Sequence, residues 1–173
     1  MEEQLQEIFA RYSSAVVAFS GGVDSAVVAW CAREFLKGKV LLATVLSPAV
    51  PEWDIEDARR VASFLSLPHR FVFSDVVEKE EYRENSPFRC YHCKRDIYGR
   101  LEKIRVEEGL EVILNGETKE DEGDFRPGRK AAEEFGVISP LKLAGFFKAD
   151  VRKLAKKAQL PVADKPSSPC LSS

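Results

Sequence analysis

The residues best suited to chemistry form a glycine-rich run near the amino terminus, Ser20-Gly21-Gly22-Val23-Asp24-Ser25. An apolar segment precedes the run and a helical pattern follows it, so the run is expected at the amino terminus of a helix. Adjacent glycines let a backbone approach an anion closely, serine hydroxyls donate hydrogen bonds, and the helix terminus adds partial positive charge. A plain strand-to-helix turn seldom needs this combination. The run therefore predicts a phosphate-binding loop, although it is neither a Walker A motif nor a G-x-G-x-x-G fingerprint.

Cysteines offer a second kind of chemistry, at Cys31, Cys90, Cys93 and Cys170. Cys90 and Cys93 form a C-x-x-C pair, which is typical of half a zinc site, of a redox pair or of two iron–sulfur ligands. His92 and Cys170 are the obvious further ligands for zinc, and the prolines before Cys170 favour a defined loop. Cys31 falls on the apolar face of a predicted helix, where a buried small hydrophobe is the simpler interpretation. The residues alone leave the alternatives for the C-x-x-C pair open.

A third group of chemically capable residues is charged, and all but one of its members follow a late apolar run. Asp121 and Asp124 suit either a nucleotide-bound Mg²⁺ or a solvated charged loop. Arg126 and Arg129 suit a clamp on phosphate or carboxylate, or structural pairs with neighbouring aspartates. Lys94 adjoins the cysteine pair and is a candidate for holding an anionic substrate, the alternative being a solvated surface lysine.

Short apolar runs alternate with helical patterns along the whole chain. The runs predict five strands, at residues 15–19, 40–46, 71–73, 112–114 and 137–138. Apolar residues spaced by three and four predict helices between them, including one with Asp54 as its N-cap and one around the cysteine pair. This alternation predicts an α/β fold with a five-stranded parallel sheet and helices on both faces.

Three polar segments follow predicted strands and are therefore expected at one edge of the sheet. The glycine-rich run follows the first strand, Ser47 follows the second, and Asn115-Gly116 follows the fourth. Ligands of such sheets bind beyond the carboxyl ends of the strands. We expect a nucleotide to lie across this edge, with its base near residues 44–47 and its ribose near the turn after the fourth strand.

Composition narrows the class of protein. The 173 residues suffice for one domain of ordinary size, and 26 Lys and Arg against 28 Asp and Glu give a net charge of −2. No global basic field therefore favours nucleic acid. No apolar run reaches the roughly 18 to 20 residues of a membrane helix. The start, Met1-Glu2-Glu3-Gln4, lacks the basic and apolar regions of a signal peptide, which predicts a cytoplasmic location.

The glycine-rich run resembles, residue for residue, the S-G-G-x-D-S signature of the PP-loop ATP pyrophosphatases. The resemblance implies their Rossmann-like fold, which is of the adenine nucleotide alpha hydrolase type. Further stretches are similar to the LarE family of PP-loop sulfur transferases, and they run through nearly the whole chain. These stretches are 89–94, 115–118 continuing through Asp121, Asp124 and 125–128, and 139–141 with Lys148, Arg152, 164–166 and 170–173.

The LarE resemblance implies an activity and a set of site residues. LarE-type enzymes activate the carboxylates of pyridinium-3,5-biscarboxylic acid mononucleotide with ATP, release pyrophosphate and replace a carboxylate oxygen by sulfur, for the nickel-pincer cofactor of lactate racemase. The implied catalytic residues are Asp24, Lys94, Arg126 and Cys170. The implied ATP- and Mg²⁺-binding residues are Ser20, Gly21, Gly22, Asp24, Ser25, Ser47, Asn115, Gly116, Thr118 and Asp121.

The family handles sulfur in two ways. One form sacrifices a single cysteine, which corresponds to Cys170, and another binds a [4Fe–4S] cluster through three cysteines. This sequence has Cys90, Cys93 and Cys170, so it resembles the cluster form, in which one iron stays open to hold and release sulfide. The implied cofactors are ATP, Mg²⁺ and a [4Fe–4S] cluster. The implied partners are a small nucleotide substrate, sulfide or a sulfur-donor protein and further copies of the chain, with no membrane and no nucleic acid.

Domain organisation and rival functions complete the expectations. Residues 1–160 are expected to form the PP-loop domain, and 161–173 to begin a cysteine-containing C-terminal segment whose continuation in the family, rich in basic residues for substrate phosphate, is absent from this sequence. A PP-loop tRNA thiolase is the runner-up, because those enzymes also join this loop to three-cysteine clusters. A non-enzymatic nucleotide-binding regulator with a zinc site is the rival from another class. A gel shift with tRNA, metal content and pyrophosphate release distinguish the three.

Overall fold

The computed structural model describes residues 1–48, 50–75, 89–122 and 128–166. Its strands are β1 (Ala15–Ala18), β2 (Val40–Leu46), β3 (His69–Phe73) and β4 (Val112–Leu114). Its helices are α1 (Glu2–Phe9), α2 (Val23–Phe35), α3 (Glu52–Leu65), α4 (Arg89–Glu108), α5 (Gly128–Glu134), α6 (Pro140–Leu143) and α7 (Lys148–Lys157). A 3-10 turn spans Lys119–Glu122.

The strands form one parallel sheet in the order β3-β2-β1-β4. Ala15 of β1 is level with Val40 of β2 and with Val112 of β4, so the carboxyl ends of the strands meet at one edge. The chain builds outwards from β1 to β2 and β3 and then returns to place β4 on the other side of β1. Such a reversal opens a crevice where the loops leaving two adjacent strands diverge. The parallel α/β architecture confirms the predicted fold class.

Helices cover both faces of the sheet because successive strand residues point to opposite sides. Ala15 and Val17 pack into the larger core with α1, α2, α3 and α7. Val16, between them, packs into a second core with α4 and α5. The three residues have no exposed surface, as the uninterrupted apolar sequence of β1 predicts.

The prediction of a fifth strand at residues 137–138 is wrong. Ile138 makes one isolated parallel bridge with Leu114 on the outer side of β4. Gly136, with a φ of 64°, turns the chain after α5, and Pro140 already begins α6, so the extended stretch is too short for a ladder. Within the described ranges the sheet therefore has four strands.

Element boundaries also differ from the sequence expectation. α3 begins at Glu52 with Pro51 as its N-cap residue, so Asp54 lies inside the first turn and is not the cap. β3 starts at His69, earlier than the apolar run alone indicates. The apolar pattern does not predict α5 and α6, which have only 7 and 4 residues. Among the helices of the described ranges, none is long and apolar enough to cross a bilayer.

Candidate functional site

The glycine-rich run joins β1 to α2 at the carboxyl edge of the sheet. Gly21 has a φ of 86°, a left-handed value that glycine adopts without strain. Gly22 is the N-cap residue of α2, and no side chain caps this end of the helix. The Ala26 amide donates to the Gly22 carbonyl at 3.0 Å, so the amides of the preceding turn have no partner within the helix. An uncapped helix terminus of this kind suits a phosphate group.

Serine hydroxyls brace the glycine-rich run Ser20–Ser25, which we call the phosphate loop. Ser25 Oγ lies 3.2 Å from Ser20 Oγ and donates to the Gly22 carbonyl at 3.3 Å. The Ser20 amide donates to Ser25 Oγ at 3.2 Å, and the Gly22 amide donates to Ser20 Oγ at 3.3 Å. The loop is thus preformed by contacts among its own predicted binding residues. Because these bonds are long, an anionic acceptor forms shorter and stronger ones with the same groups.

Gly21 also touches the backbone of α3. A Cβ atom added at Gly21 would lie 2.9 Å from both the Asp54 carbonyl oxygen and the Ala58 amide nitrogen. Both atoms belong to a helix backbone and have no room to move, so only glycine fits at this position. The close approach seats the phosphate loop on the first turns of α3.

We expect Gly21→Ala to lower the free energy of unfolding by about 3 kcal/mol, because left-handed strain adds to a backbone clash. Gly99→Ala is the matched control, since its Cβ would meet Phe135 at an ordinary 3.8 Å inside α4. That substitution should be neutral or stabilise the protein by up to about 1 kcal/mol. Urea unfolding measures the free energy of unfolding of both variants. Equal midpoints would contradict the close packing of Gly21 against α3.

The loop after β4 reaches the phosphate loop from the other side of the crevice. A Cβ atom added at Gly116 would lie 3.0 Å from the Ser25 amide nitrogen and 3.1 Å from Asp24 Cβ. Gly116 therefore lies against Asp24 and Ser25, as their assignment to one predicted site requires, although these residues are about ninety positions apart in the sequence. Gly116 is the point of closest approach, and a larger residue there would fill the space beside the amino terminus of α2.

Asn115 holds this second loop in place. Its side chain is buried, and its Nδ2 donates to the Tyr98 hydroxyl of α4 at 3.1 Å. Its Oδ1 accepts a hydrogen bond from the Glu117 amide at 3.2 Å. The side chain thus acts on the loop backbone, and contact between Asn115 and a nucleotide stays a prediction.

Asp24 pairs with a lysine from a distant part of the chain. Its Oδ2 lies 3.2 Å from Nζ of Lys148, the first residue of α7. Burial raises the pKa of the Asp24 carboxyl, Lys148 opposes that increase, and the negative charge of Asp121 adds to it. Two carboxylates within electrostatic reach of each other, beside an uncapped helix terminus, suit a Mg²⁺ ion that bridges phosphate oxygens.

Thr118 and Asp121 form a buried unit at the 3-10 turn. The amide and the hydroxyl of Thr118 both donate to Asp121 Oδ2, at 2.8 and 3.1 Å. Thr118 has no exposed surface, so the structure gives it the task of orienting the Asp121 carboxylate. The same segment also fixes the position of Lys148. The Lys119 amide donates to the Phe146 carbonyl, and the Lys148 amide donates to the Glu120 carboxylate. Lys142 pairs with Glu117 beside them.

Lys148 and Arg152 both act on Asp24, although the sequence indicates them only as part of a family stretch. Arg152 lies one turn after Lys148 on α7, and its charge also lowers the pKa of Asp24. Their spacing of four on a helix is the signal that indicates a common face. No pattern in the sequence shows that this face meets the amino terminus of α2.

Loss of Mg²⁺ from Asp24 on acidification is expected at a higher pH than for an ordinary aspartate. A raised pKa means that the carboxyl takes up its proton, and gives up its metal affinity, earlier as the pH falls. Lys148 lowers that pKa, so Lys148→Met should move the midpoint to a still higher pH. Calorimetric titration with Mg-ATP from about pH 4 to 7 measures the midpoint. Lys153→Met, on an exposed position of α7, is the control, and equal midpoints for the two variants would contradict the role of the ion pair.

Two hydrogen bonds link the residue after β1 to Thr44 of β2 and His69 of β3. The Thr44 hydroxyl donates to the Phe19 carbonyl at 2.7 Å and lies 2.7 Å from His69 Nε2. Since a hydroxyl has one proton, His69 Nε2 must be the donor to Thr44. Burial and the charge of Arg59 lower the pKa of His69, which favours the neutral imidazole. The hydrogen bond to Thr44 then places the ring proton on Nε2. Ser47, half-buried just beyond the end of β2, lies at the same edge of the sheet.

The C-x-x-C pair lies at the start of α4. This helix follows β3 and leads back to β4, so its amino terminus lies toward the carboxyl edge of the parallel sheet. Cys93 is half-exposed and precedes Tyr98 by five residues, about 7.5 Å along the helix axis. Tyr98, further along the same helix, contacts Asn115 of the loop after β4. Cys31 is fully buried and burial raises the pKa of its thiol, which confirms it as a packing residue.

Several predicted site residues fall outside the described residues or show other contacts. Asp124, Arg126 and Cys170 lie outside the described ranges, and Cys90 is described only as part of the α4 backbone. Lys94 is exposed on α4, and Arg129 donates to the Glu122 carbonyl at 3.1 Å. Across residues 1–48, 50–75, 89–122 and 128–166, no group of three or more His, Cys, Asp or Glu side chains is placed to hold a metal ion.

Comparisons with known proteins identify related sequences. The model of the NAD synthase family matches residues 1–85. A Lactiplantibacillus plantarum protein named pyridinium-3,5-bisthiocarboxylic acid mononucleotide synthase is 35% identical over 158 residues, which are 91% of this chain and 57% of that protein. An uncharacterised Synechocystis protein is 34% identical over 171 residues, which are 99% of this chain and 64% of that protein. The chain thus spans less than two thirds of the length of these two relatives.

Solved structures agree on the fold. NMN synthetase from Francisella tularensis has a TM-score of 0.73 at 17% identity, covering 99% of this chain and 77% of that one. The U34-tRNA thiolase NcsA from Methanococcus maripaludis, solved with its [4Fe-4S] cluster, has a TM-score of 0.68 at 16% identity, covering 99% of this chain and 69% of that one. These likenesses show the fold and agree with the α/β architecture that the sequence predicts.

Proposed function

We infer that this chain, which is related to the LarE family of PP-loop enzymes, carries the ATP-activating part of a sulfur transferase. The proposed substrate is pyridinium-3,5-biscarboxylic acid mononucleotide, and the product is its thiocarboxylate, for the nickel-pincer cofactor. The observation that carries this inference is the uncapped amino terminus of α2, with Gly21 and Gly22 before it and Asp24 in its first turn, at the β1/β4 crevice. This arrangement suits a pyrophosphate group with its metal ion, and the name of the 35% identical relative gives the class of product.

The phosphate loop would hold the β- and γ-phosphates of ATP. Backbone amides around Gly21 and Gly22 and the hydroxyls of Ser20 and Ser25 donate to phosphate oxygens, and the α2 terminus adds partial positive charge. Mg²⁺, held through Asp24 and aided by the nearby Asp121, would neutralise charge that develops on the phosphates. With its carboxylate engaged by Mg²⁺, Asp24 would release the Lys148 ammonium, which would then donate to the phosphates.

The proposed first step forms an acyl-adenylate. A carboxylate oxygen of the substrate attacks the α-phosphorus, the new oxygen–phosphorus bond forms, and the bond to the β-phosphate oxygen breaks. Pyrophosphate leaves with the electron pair and stays within reach of the loop that binds it. In the second step a sulfur nucleophile attacks the activated carboxyl carbon and AMP leaves, so a carbon–sulfur bond replaces a carbon–oxygen bond.

Cys90, Cys93 and Cys170 are the proposed ligands of the group that would supply the sulfur nucleophile. Positions 90 and 93 occupy the first turns of α4, whose amino terminus lies toward the carboxyl edge of the sheet, so sulfur held there would lie at the same edge as the phosphate loop. When bound by three thiolates, a [4Fe–4S] cluster would supply sulfide from its open iron. The NcsA thiolase, which has the same fold, was solved with such a cluster.

The proposal also covers domain bounds, oligomeric state and the residues that hold the substrate. Residues 1–160 form the PP-loop domain, and 161–173 begin the cysteine-containing segment. The protein acts as a homo-oligomer in the cytoplasm, with sulfide or a sulfur-donor protein as the second partner. Lys94 and Arg126 are proposed to hold the anionic substrate, because cations are what its phosphate and carboxylates require.

Product analysis tests the proposal. Incubation with substrate and Mg-ATP should convert label at the γ-phosphate into pyrophosphate and label at the α-phosphate into AMP. Both products should depend on the pyridinium substrate, because the carboxylate is the attacking group. ADP and orthophosphate as products would overturn the proposed cleavage. Replacement of the carboxylate substrate by its amide is the control that should form neither pyrophosphate nor AMP.

A PP-loop tRNA thiolase is the alternative function, and the fold likeness to NcsA favours it. The net charge of −2 argues against it, because tRNA binding relies on a basic surface. A gel shift with tRNA should show no complex at moderate salt. Retarded tRNA together with sulfur incorporation into it would replace the proposed substrate with RNA.

A further inference from the structure

The last described residues of the chain are fastened to α3 by one lysine. Lys165 Nζ lies 2.8 Å from Asp54 Oδ1 and 2.8 Å from Asp57 Oδ2. The lysine side chain is 15% exposed, and the two carboxylates are 21% and 20% exposed. Nearby, Lys156 and Asp164 pair at 3.6 Å with both side chains largely in solvent. We call Lys165, Asp54 and Asp57 the Lys165 clasp.

The surroundings of Lys165 make the clasp a defined contact rather than a surface ion pair. Val162 and Ala163 are buried in the larger core, and the Lys165 amide donates to the Val162 carbonyl at 2.9 Å. Burial on its own would lower the pKa of the Lys165 ammonium, but hydrogen bonds and charge from Asp54 and Asp57 outweigh burial and raise it. The lysine therefore stays charged and fully paired at neutral pH. Partly buried pairs of this kind are screened little by salt.

The clasp and the phosphate loop use the same turn of α3. Asp54 offers its carboxylate to Lys165, while its backbone carbonyl oxygen lies against Gly21. The end of the described chain is thus fixed directly behind the phosphate loop. Cys170 follows Lys165 by five residues, at most about 18 Å of extended chain, so the clasp sets the region that Cys170 can reach.

We propose that Lys165 is a positioning residue that, through Asp54 and Asp57, anchors residues 160–166 against α3 behind the phosphate loop, and that sulfur transfer through Cys170, five residues further along the sequence, depends on this anchor. The proposal rests on the proposed function for the role of Cys170. The clasp acts after adenylation, because its residues do not touch ATP or substrate in the proposed site. It restricts the positions that the chain after Lys165 can reach. It accounts for a feature that the phosphate site leaves unexplained, a half-buried lysine shared between two carboxylates.

The test separates adenylation from sulfur transfer in the same variant. Lys165→Met should lower the single-turnover rate of sulfur transfer by about tenfold or more, while substrate-dependent pyrophosphate release stays within about threefold. Lys165→Arg, which keeps the charge, should restore transfer in part. Asp54→Asn with Asp57→Asn should match Lys165→Met in sulfur transfer, and combining all three changes should add little, because either set already breaks the clasp; the exposed pair between Asp57 and Arg60 is lost as well but lies outside the clasp. Lys156→Met, which removes the exposed pair next to the clasp, is the matched control and should change neither rate.

Hydrogen exchange of peptides covering residues 160–173 supplies a readout that does not need activity. Exchange in this segment should rise in Lys165→Met and in the double aspartate variant, and stay as in the parent protein in Lys156→Met. Unchanged exchange, or equal losses of pyrophosphate release and sulfur transfer, would overturn the proposal. If the parent protein forms no pyrophosphate, the proposed function fails, and the exchange data still decide whether the clasp anchors the segment.

Discussion

Replacing Asp24 by asparagine is expected to lower ATP-dependent pyrophosphate release by about 100- to 1,000-fold. The residue lies in the first turn of α2, against Gly116 and paired with Lys148, where a metal-bound carboxylate would offset charge on the phosphates. The fold should not suffer from the change. Because burial raises the pKa of Asp24, the ionised carboxylate costs more in the folded than in the unfolded chain above that pKa. Asparagine removes this cost, so the free energy of unfolding should stay level or rise.

Two measurements on one preparation decide this prediction. A coupled pyrophosphate assay gives the rate, and urea unfolding at neutral pH gives the stability. Glu34→Gln is the control, since Glu34 lies at the other end of α2 in an exposed pair with Arg33 and should keep full activity. A loss of stability in Asp24→Asn that matches the loss of activity would assign Asp24 to the fold instead of the site.

Substitution of alanine for Cys90, Cys93 or Cys170, one at a time, is expected to abolish the brown absorbance of an anaerobically reconstituted protein. Three thiolates are needed to hold a cluster with one open iron, so the loss of any ligand should release it. Cys31→Ala is the control: its side chain is fully buried among apolar residues, and its removal should cost only about 1 kcal/mol of stability. Iron and sulfide content per chain, measured beside single-turnover sulfur transfer, gives the result.

A different pattern among the same variants would establish the rival chemistry. If Cys90→Ala and Cys93→Ala keep sulfur transfer and only Cys170→Ala loses it, the sulfur comes from Cys170 itself. Mass spectrometry would then find residue 170 lighter by the elements of H₂S after one turnover, as dehydroalanine. Zinc in place of iron, with no pyrophosphate formed, would instead favour the nucleotide-binding regulator.

The sequence predicts those parts of the fold that depend on local pattern. β1 and the phosphate loop follow from an apolar run that ends at two glycines, because burial on both faces and a left-handed residue each need particular side chains. The resemblance to the LarE family, confirmed by a 35% identical relative, rests on such local motifs. The fifth strand fails as a prediction because apolar character at 137–138 is not enough. Gly136 and Pro140 leave no length for pairing, so Ile138 makes a single bridge.

The site is less predictable where it depends on tertiary contacts. The pairing of Asp24 with Lys148 joins residues 124 positions apart, and no local pattern indicates it. Asp54 has the residue type of an N-cap, yet the helix begins earlier, and its carboxylate pairs with Lys165 instead. Thr118 lies inside the protein and orients Asp121, and contact between Thr118 and a nucleotide stays a prediction. In each case the sequence identifies a capable residue, and packing decides which group it meets.

Asp54 serves two neighbours at once, and this has a thermodynamic consequence. Its carbonyl oxygen lies against Gly21 in the phosphate loop, and its carboxylate holds Lys165. Linkage is reciprocal: any factor by which a bound nucleotide tightens the hold on Lys165 is the factor by which an engaged Lys165 tightens nucleotide binding. Under the proposed function, disengaging Lys165 would then weaken ATP binding by that same factor, which stays small because Lys165 acts on the nucleotide only through Asp54.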